Sequence, residues 1–348
     1  MKKLIFCFDG TCNAPDTFDD YLEDISITNV LKLHAMFGGS LMPLNAKNQD
    51  LPSQHSFYYS GVGTRGGWLA KTINTMFAPP YGDIDEILDS ATDDLNKYYA
   101  DGDEIFIFGF SRGAAIARMF ASKVEVPIKF VGVFDTVAAT RGALDLSPNT
   151  FPASGIVFEN GTMGEHIEES VHLLALDEKR VLFQPTLYNK DPRISEVWFP
   201  GVHSDIGGGY WFDGLSDITL QFMIDRVEDK LTVIPVAEII YERLKVRNSQ
   251  ESICKDDLNI NALPHGKIHL QVVDSAIDKK LLSARVPRVN VNDYPVKTDQ
   301  PIIHYSVINR FNTVPNYRPY ALRDVSYRVM NEDGSISNPR NGISELKN

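Results

Sequence analysis

The chain has 348 residues, of which 43% are hydrophobic and 23% are charged, as in an ordinary globular protein with a sizeable core. Its 34 Lys and Arg residues stand against 46 Asp and Glu residues, so the formal net charge is −12. This charge opposes binding to nucleic acid, because phosphate polymers are bound mainly through cationic side chains. A single domain over residues 1–348 is expected for this length and composition.

The cysteines and the N-terminal residues bear on the compartment in which the chain folds. Cys7, Cys12 and Cys254 form no CxxC pair, so neither a disulfide framework nor a zinc site is expected. The apolar run 4–8 is ended by Asp9, too early for a signal peptide or for the roughly 18 residues of a spanning helix. We therefore expect a protein that is cytoplasmic when made, with export by a route that needs no cleaved signal left open.

Short apolar runs alternate with amphipathic segments along the first two thirds of the chain. Strands are expected at 4–8, 57–62, 105–110, 130–134 and 196–199, and a further one at 268–273. Helices are expected at 30–37, 81–99, 113–122, 215–231 and 236–246, the first of them capped by Ser26 or Thr28. This alternation predicts an α/β fold with a mainly parallel sheet covered by helices on both faces.

Two regions lack a clear period. Residues 138–170 are rich in Gly, Pro and Ser and are interpreted as a lid or a long excursion. Beyond Asn248 the pattern weakens, so 249–348 is expected to be a C-terminal extension packed on the core. A hairpin is expected there around Asp333 and Gly334.

The sequence 109–114, Gly-Phe-Ser-Arg-Gly-Ala, matches the G-x-S-x-G pattern of a nucleophile elbow. It is preceded by an expected strand and followed by an expected helix, which is the context that the elbow requires. The tight turn leaves no room for bulky residues two positions before or after the serine. The alternative is a glycine-rich turn with an incidental serine, but the flanking elements favour Ser111 as a nucleophile.

A serine nucleophile needs a base and an acid that orients the base, and in this fold they follow in the order Ser, Asp or Glu, His. Asp135 follows the apolar run 130–134, and His203 follows the strand expected at 196–199. The alternatives are a helix cap for Asp135, with Asp205 as the next candidate acid, and a structural role for His203. The main rival base is His304, which also adjoins an apolar run.

An oxyanion hole needs two backbone donors. The N–H of Arg112, directly after the candidate nucleophile, is the first, and the N–H of Gly10 or Thr11 is proposed as the second. An ordinary Asp-Gly turn at Gly10 is the alternative. The glycines 207–209 have the wrong spacing for a dinucleotide or phosphate loop and are expected to let the chain turn beside His203.

No cofactor is expected, since the sequence contains none of the HExxH, Walker or EF-hand patterns. Asp9, Asp135 and Asp205 could together approach a hard cation, but three scattered carboxylates are weak grounds for a metal site, and none is predicted.

Four motifs, in this order, resemble those of the uncharacterised α/β-hydrolase family that includes the first class of type VI secretion lipase effectors. They are Phe-Asp-Gly-Thr at 8–11, Gly-Phe-Ser-Arg-Gly-Ala at 109–114, Gly-Val-Phe-Asp-Thr-Val at 132–137, and the run from Trp198 to Tyr210. The similarity extends through 178–180 and further to 304–306 and 317–319. It implies a Ser-Asp-His phospholipase, with Ser111, Asp135 and His203 at the triad positions.

The function expected from these residues is hydrolysis of carboxylic esters, on a phospholipid or another acyl lipid. A small-ester or thioester hydrolase with a soluble substrate is the alternative among enzymes, and a non-catalytic module that binds a lipid or a protein partner is the alternative of another class. The expected contacts are a transient one with a membrane and, as the resemblance implies, one with an immunity protein or the secretion machinery.

Overall fold

A computed structural model of the chain describes residues 1–10, 24–42, 51, 53–61, 81–137, 162–245, 253–270 and 282–347. The strands are β1 (Lys3–Phe8), β2 (Gln54–Tyr59), β3 (Glu104–Phe110), β4 (Phe130–Phe134), β5 (Ser170–Ala175), β6 (Ile194–Phe199), β7 (Val289–Val291), β8 (Tyr294–Val296), β9 (Ile302–His304), β10 (Ser326–Met330) and β11 (Arg340–Asn341). The α-helices are α1 (Asn29–Met36), α2 (Tyr81–Tyr98), α3 (Ser111–Lys123), α4 (His203–Gly207), α5 (Ser216–Asp225), α6 (Lys255–Leu258) and α7 (Tyr305–Thr313).

Nine of these strands form one sheet, in the order β11-β10-β9-β6-β5-β4-β3-β1-β2. Every neighbouring pair from β10 to β2 is parallel, and only the edge strand β11 pairs in the antiparallel direction. β7 and β8 form a separate antiparallel pair. The carboxyl ends of β3, β4, β5 and β6 therefore lie side by side at one edge of the sheet, where open α/β sheets bind their ligands.

Alternation along β1 explains why the sheet is covered on both faces. Ile5 and Cys7 belong to the apolar cluster that includes α1 and α5, whereas Leu4, Phe6 and Phe8 pack with α2 and α3. Successive side chains of a strand point to opposite faces, so an uninterrupted apolar run places hydrophobic residues on both. The predicted α/β fold with a mainly parallel sheet is confirmed.

Helix α1 begins where the cap was expected. The Thr28 hydroxyl accepts a hydrogen bond from the N–H of Leu31 at 3.2 Å, which satisfies one donor of the first turn. Lys32 is buried on this helix, and its Nζ donates to carboxylates of Asp213 at 2.6 Å and Asp217 at 3.0 Å. This ion pair joins α1 to the start of α5, on the same face of the sheet.

The helix predicted over 236–246 is wrong. The structure has two short 3₁₀ turns, Val236–Glu238 and Tyr241–Leu244, and residue 246 lies outside the described residues. The apolar spacing imitated a helix, but Ile239 and Leu244 reach the core without one. The β-branched side chains around Ile239 also disfavour helix, so burial decided the local conformation.

The strand predicted over 268–273 is also absent from its described residues. Residues 268–270 have no regular secondary structure, and 271–273 lie outside the described residues. His269 instead uses its side chain and its backbone N–H to bond Asp205. The predicted helix 215–231 is shorter than expected, since α5 ends at Asp225 and hydrogen-bonded turns continue to Leu231.

The hairpin predicted around Asp333 and Gly334 is confirmed. Gly334 has φ +79°, and the N–H of Asn331 donates to the carbonyl of Ser335 at 2.8 Å. Further strands of the main sheet come from the region expected to be an extension, since β9, β10 and β11 all lie within 249–348. Of the excursion expected at 138–170, residues 138–161 lie outside the described part. In the described ranges no helix is long and apolar enough to cross a membrane.

Candidate active site

Ser111 occupies a strained turn between β3 and α3. Its φ is +58°, a left-handed conformation that costs energy for any residue with a Cβ. A Cβ at Gly109 would lie 2.7 Å from Cα of Ala114, and one at Gly113 would lie 2.2 Å from the carbonyl oxygen of Asp9. Both glycines are therefore required by sterics, which is the geometry that the G-x-S-x-G pattern predicted.

The structure brings Ser111, Asp135 and His203 together although they are far apart in sequence. His203 Nε2 lies 2.7 Å from Ser111 Oγ, and His203 Nδ1 lies 2.5 Å from Asp135 Oδ2. An ionised carboxylate only accepts hydrogen bonds, so Nδ1 carries the proton and Nε2 accepts from the serine hydroxyl. Each residue follows the carboxyl end of a different parallel strand, namely β3, β4 and β6.

The carboxylate of Asp135 is completely buried and accepts four hydrogen bonds. Oδ1 accepts from the N–H of Ala175 at 3.0 Å and from Arg285 at 2.6 Å, while Oδ2 accepts from His203 and from Arg285 at 2.9 Å. Burial alone would raise the pKa of Asp135, but the guanidinium of Arg285 and the imidazole of His203 together hold that pKa well below its usual range. Asp135 is thus ionised at any physiological pH.

Sequence reasoning missed Arg285. It stands in an aperiodic stretch, Ala-Arg-Val-Pro-Arg at 284–288, and 150 positions separate it from Asp135. No motif, spacing or strand end marks this arginine, so its contact with Asp135 could be found only in the tertiary structure.

Besides Asp135, two aromatic rings and a second carboxylate hold His203 in place. The rings of Phe110 and Phe183 lie 4.7 and 4.9 Å from the imidazole, measured between centroids. The backbone N–H of His203 donates to Glu178 Oε2 at 3.3 Å, and Glu178 is itself paired with Arg180 at 2.7 Å. Burial lowers the pKa of His203, and the hydrogen bond and charge of Asp135 only partly offset this. The imidazole is therefore a neutral acceptor at neutral pH.

The glycines after His203 let α4 approach its neighbours. A Cβ at Gly207 would lie 2.0 Å from the ring of Phe110, and one at Gly208 would lie 2.6 Å from the backbone nitrogen of Asn29. Gly208 and Gly209 also have φ of +81° and +111°. The triplet thus turns the chain sharply beside His203, as expected.

The alternates Asp205 and His304 have other partners. Asp205 Oδ1 lies 2.5 Å from Nδ1 of His269, and its Oδ2 accepts from the N–H of Val202 at 2.9 Å. His304 caps α7 by accepting from the N–H of Ser306, and its ring stacks 4.3 Å from that of Phe199. Neither side chain is hydrogen-bonded to Ser111.

The residues expected at an oxyanion hole are only partly described. The N–H of Gly10 donates to Asp9 Oδ1 at 2.6 Å, so in this structure it is engaged with a carboxylate, and Thr11 lies outside the described residues. Arg112 stands in the first turn of α3, whose N–H groups point out of the helix end. The same carboxylate of Asp9 also accepts from Thr28 and Tyr58, and burial raises the pKa of Asp9 to about 6.

Within the described ranges, no group of three His, Cys, Asp or Glu residues is arranged to hold a metal ion. The three carboxylates that could approach a cation are bonded to different protein groups: Asp9 to hydroxyls, Asp135 to Arg285 and His203, and Asp205 to His269. A cation would have to displace these partners, which are on separate elements.

We expect His304→Ala to affect stability rather than chemistry. The change leaves a cavity beside Phe199 and Phe222 and removes the cap of α7, so the free energy of unfolding should fall by about 2 to 4 kcal/mol. Urea denaturation of the purified variant measures this loss. Folded His304→Ala should keep kcat within a few-fold of the wild type, and a loss of turnover at unchanged stability would contradict this.

The α/β-hydrolase fold class is defined by a mainly parallel sheet, a serine on a strained strand-to-helix elbow, and an Asp and a His that follow other parallel strands. Here Asp135 follows β4 and His203 follows β6. The family model for the type VI secretion system phospholipase effector Tle1-like catalytic domain matches residues 2–125 and 120–226. The chain therefore belongs to this family, and the resemblance read from its motifs is confirmed.

Individual relatives are more distant or only partly covered. An uncharacterized protein of Saccharomyces cerevisiae, YEL023C, is 33% identical over 139 residues, which are 36% of this chain and 17% of that protein. An uncharacterized protein from Pseudomonas aeruginosa has a TM-score of 0.45 at 19% identity, over 69% of this chain and 47% of that one. The Tle1 effector bound to the VgrG spike has a TM-score of 0.37 at 22% identity, over 60% and 51%. The chain thus spans about half of these structures, and far less of the yeast protein.

Proposed function

We propose that this protein hydrolyses carboxylic esters of acyl lipids, phospholipids first among them, through a covalent acyl-enzyme on Ser111. One observation carries the proposal: Ser111 Oγ lies 2.7 Å from a neutral His203 whose other nitrogen is bonded to the buried Asp135. This is the arrangement that activates a weak hydroxyl nucleophile at neutral pH. Membership of the Tle1-like family supports the lipid as the substrate class.

The chemistry follows from the positions of the three side chains. Ser111 Oγ attacks the ester carbonyl carbon while its proton passes to His203 Nε2, and the carbonyl π electrons move to the oxygen. Asp135 stabilises the imidazolium that forms. When the tetrahedral intermediate collapses, the C–O bond to the leaving alcohol breaks and His203 protonates that oxygen. A water molecule, deprotonated by His203, then attacks the acyl carbon. The C–O bond to Ser111 breaks, His203 returns the proton to Ser111 Oγ, and the fatty acid is released.

The developing oxyanion needs backbone donors, which we assign to the first turn of α3 and to the loop after β1. The N–H of Arg112 is the first proposed donor. The second is the N–H of Thr11, or that of Gly10 after its hydrogen bond to Asp9 has been exchanged for the substrate oxygen. The substrate oxygen gains negative charge only as the tetrahedral intermediate forms. It would therefore compete with the Asp9 carboxylate for the Gly10 N–H most strongly in the transition state.

Partners and location are proposed from the family. We propose that the protein contacts the type VI secretion machinery, because a Tle1 effector has been seen bound to the VgrG spike. An immunity protein and export without a cleaved signal belong to the same proposal. The net charge of −12 opposes adsorption to anionic lipid, so membrane contact is expected to be transient and to favour zwitterionic surfaces.

A hydrolysis panel tests the substrate class. We expect the highest kcat/KM on vesicles of phosphatidylethanolamine or phosphatidylcholine, with lower rates on phosphatidylglycerol that rise when salt screens the repulsion. Lysophospholipid, triacylglycerol and p-nitrophenyl butyrate complete the panel, with fatty-acid release as the readout. Turnover of the short ester alone would indicate a soluble substrate. A folded protein that neither turns over any ester nor reacts with a fluorophosphonate would be a binding module.

A further inference from the structure

We infer that Arg285 is the positioning residue for the triad carboxylate, so that the C-terminal third of the chain supplies a charge without which the site is incomplete. The inference rests on the function proposed above and concerns the same site. The guanidinium of Arg285 makes a bidentate pair with Asp135, in which Nη1 donates to Oδ1 at 2.6 Å and Nη2 donates to Oδ2 at 2.9 Å. A bidentate pair fixes the plane of a carboxylate as well as its position.

A second hydrogen bond from each terminal nitrogen of the guanidinium holds Arg285 itself in place. Nη1 also donates to the carbonyl of Ala175 at 2.9 Å, and Nη2 donates to the carbonyl of Phe183. Ala175 ends β5, and the ring of Phe183 contacts His203 edge-on. The Arg285 side chain thus bonds Asp135, the end of β5 and the turn whose Phe183 packs on His203.

Burial makes this pairing more than a surface ion pair. Arg285 and Asp135 are both fully buried, so neither charge is compensated by water. A buried charge without its partner is strongly unfavourable, which means that each side chain stabilises the ionised form and the location of the other. The neutral His203 then completes a group of three side chains with no net charge.

The position of Arg285 in the chain separates it from the rest of the site. The family model matches residues up to 226, and Arg285 lies 59 positions beyond that residue. The segment that carries it has no regular structure and is anchored by the bridge between Arg180 and Leu282 and by the hydrogen bond from Ser283 N–H to the Lys179 carbonyl. The matched part of the chain therefore contains Ser111, Asp135 and His203 but not the Arg285 guanidinium that pairs with Asp135.

Arg285 has two effects on the reaction, and they can be measured separately. It orients the carboxylate so that Oδ2 faces His203 Nδ1, which supports kcat. It also neutralises part of the carboxylate charge, so the imidazolium of His203 is less stabilised and the base stays unprotonated to lower pH. Removal of the cation should therefore raise the pKa of His203 and move the acidic limb of the pH–rate profile to higher pH.

The test compares Arg285→Gln, Arg285→Lys and the control Arg288→Gln in the full chain. Arg288 is also buried in this segment, but its Nη1 donates to the carbonyl of Val286 and not to Asp135. For Arg285→Gln we expect kcat to fall about 10²-fold and the acidic limb to rise by about one pH unit. Arg285→Lys keeps the positive charge but not the bidentate geometry, so its kcat should fall while the acidic limb of its pH–rate profile shifts less.

The low-field proton NMR signal of the imidazole N–H shared with Asp135 gives a second readout that needs no substrate. Its titration should follow the order wild type, Arg285→Lys, Arg285→Gln in rising pKa, while Arg288→Gln matches the wild type. If Arg285→Gln does not fold, the kcat loss and NMR titration of Arg285→Lys decide. Unchanged kcat and limb in a folded Arg285 variant, or equal changes in Arg288→Gln, would overturn the inference. A wild type that never reacts at Ser111 would instead refute the proposed function.

Discussion

Replacing Ser111 by alanine is expected to abolish ester turnover, with a loss in kcat of about 10⁴ to 10⁶. The strained elbow accepts alanine as readily as serine, because the contacts that demand small residues are at Gly109 and Gly113 rather than at the serine itself. The fold should therefore survive while the attacking oxygen is lost. Fatty-acid release from phosphatidylethanolamine vesicles measures the rate, and circular dichroism with urea denaturation checks the fold.

Ser122→Ala is the matched control, since Ser122 is exposed near the other end of the same helix and its hydroxyl donates to the carbonyl of Met119 at 2.8 Å. It should keep full activity and full fluorophosphonate labelling, whereas Ser111→Ala should show no labelled peptide. Substantial turnover by folded Ser111→Ala would place the chemistry at another residue and remove the basis for the acyl-enzyme.

The second large effect is expected for His203→Ala, with a loss in kcat of several orders of magnitude. Without the imidazole, Ser111 Oγ has no acceptor for its proton at 2.7 Å, and Asp135 keeps only Arg285 and the N–H of Ala175 as partners. Labelling of Ser111 by a fluorophosphonate should fall in parallel, because the hydroxyl is then no longer activated. Rates and labelling are compared at equal concentrations of folded protein.

His304→Ala serves as the control for this variant, because both histidines are buried to a similar degree and both lie beside aromatic rings. The two substitutions create comparable cavities but differ in their contact with Ser111. Retained turnover in folded His203→Ala, together with its loss in folded His304→Ala, would reverse the assignment of the base.

Local patterns in the sequence were sufficient for the parts of the structure that depend on neighbouring residues. The apolar run 4–8, with side chains for both faces, predicted a buried strand, and the glycines of the elbow predicted a turn that sterics indeed require. Ser26 and Thr28 predicted a helix start through a cap, which Thr28 forms. These signals lie within a few residues of the feature that they specify, so periodicity and turn chemistry can detect them.

Tertiary structure decided the rest. His203 rather than His304 contacts Ser111 because of the order of the strands, in which β6 lies nearer to β3 than β9 does. Asp205 pairs with His269 instead of joining the site. Arg285 reaches Asp135 across 150 positions without any local mark, and the apolar spacing of 236–246 gave two short turns instead of a helix. In each case the deciding energy is the burial of charges or apolar side chains against distant segments, which a local pattern does not contain.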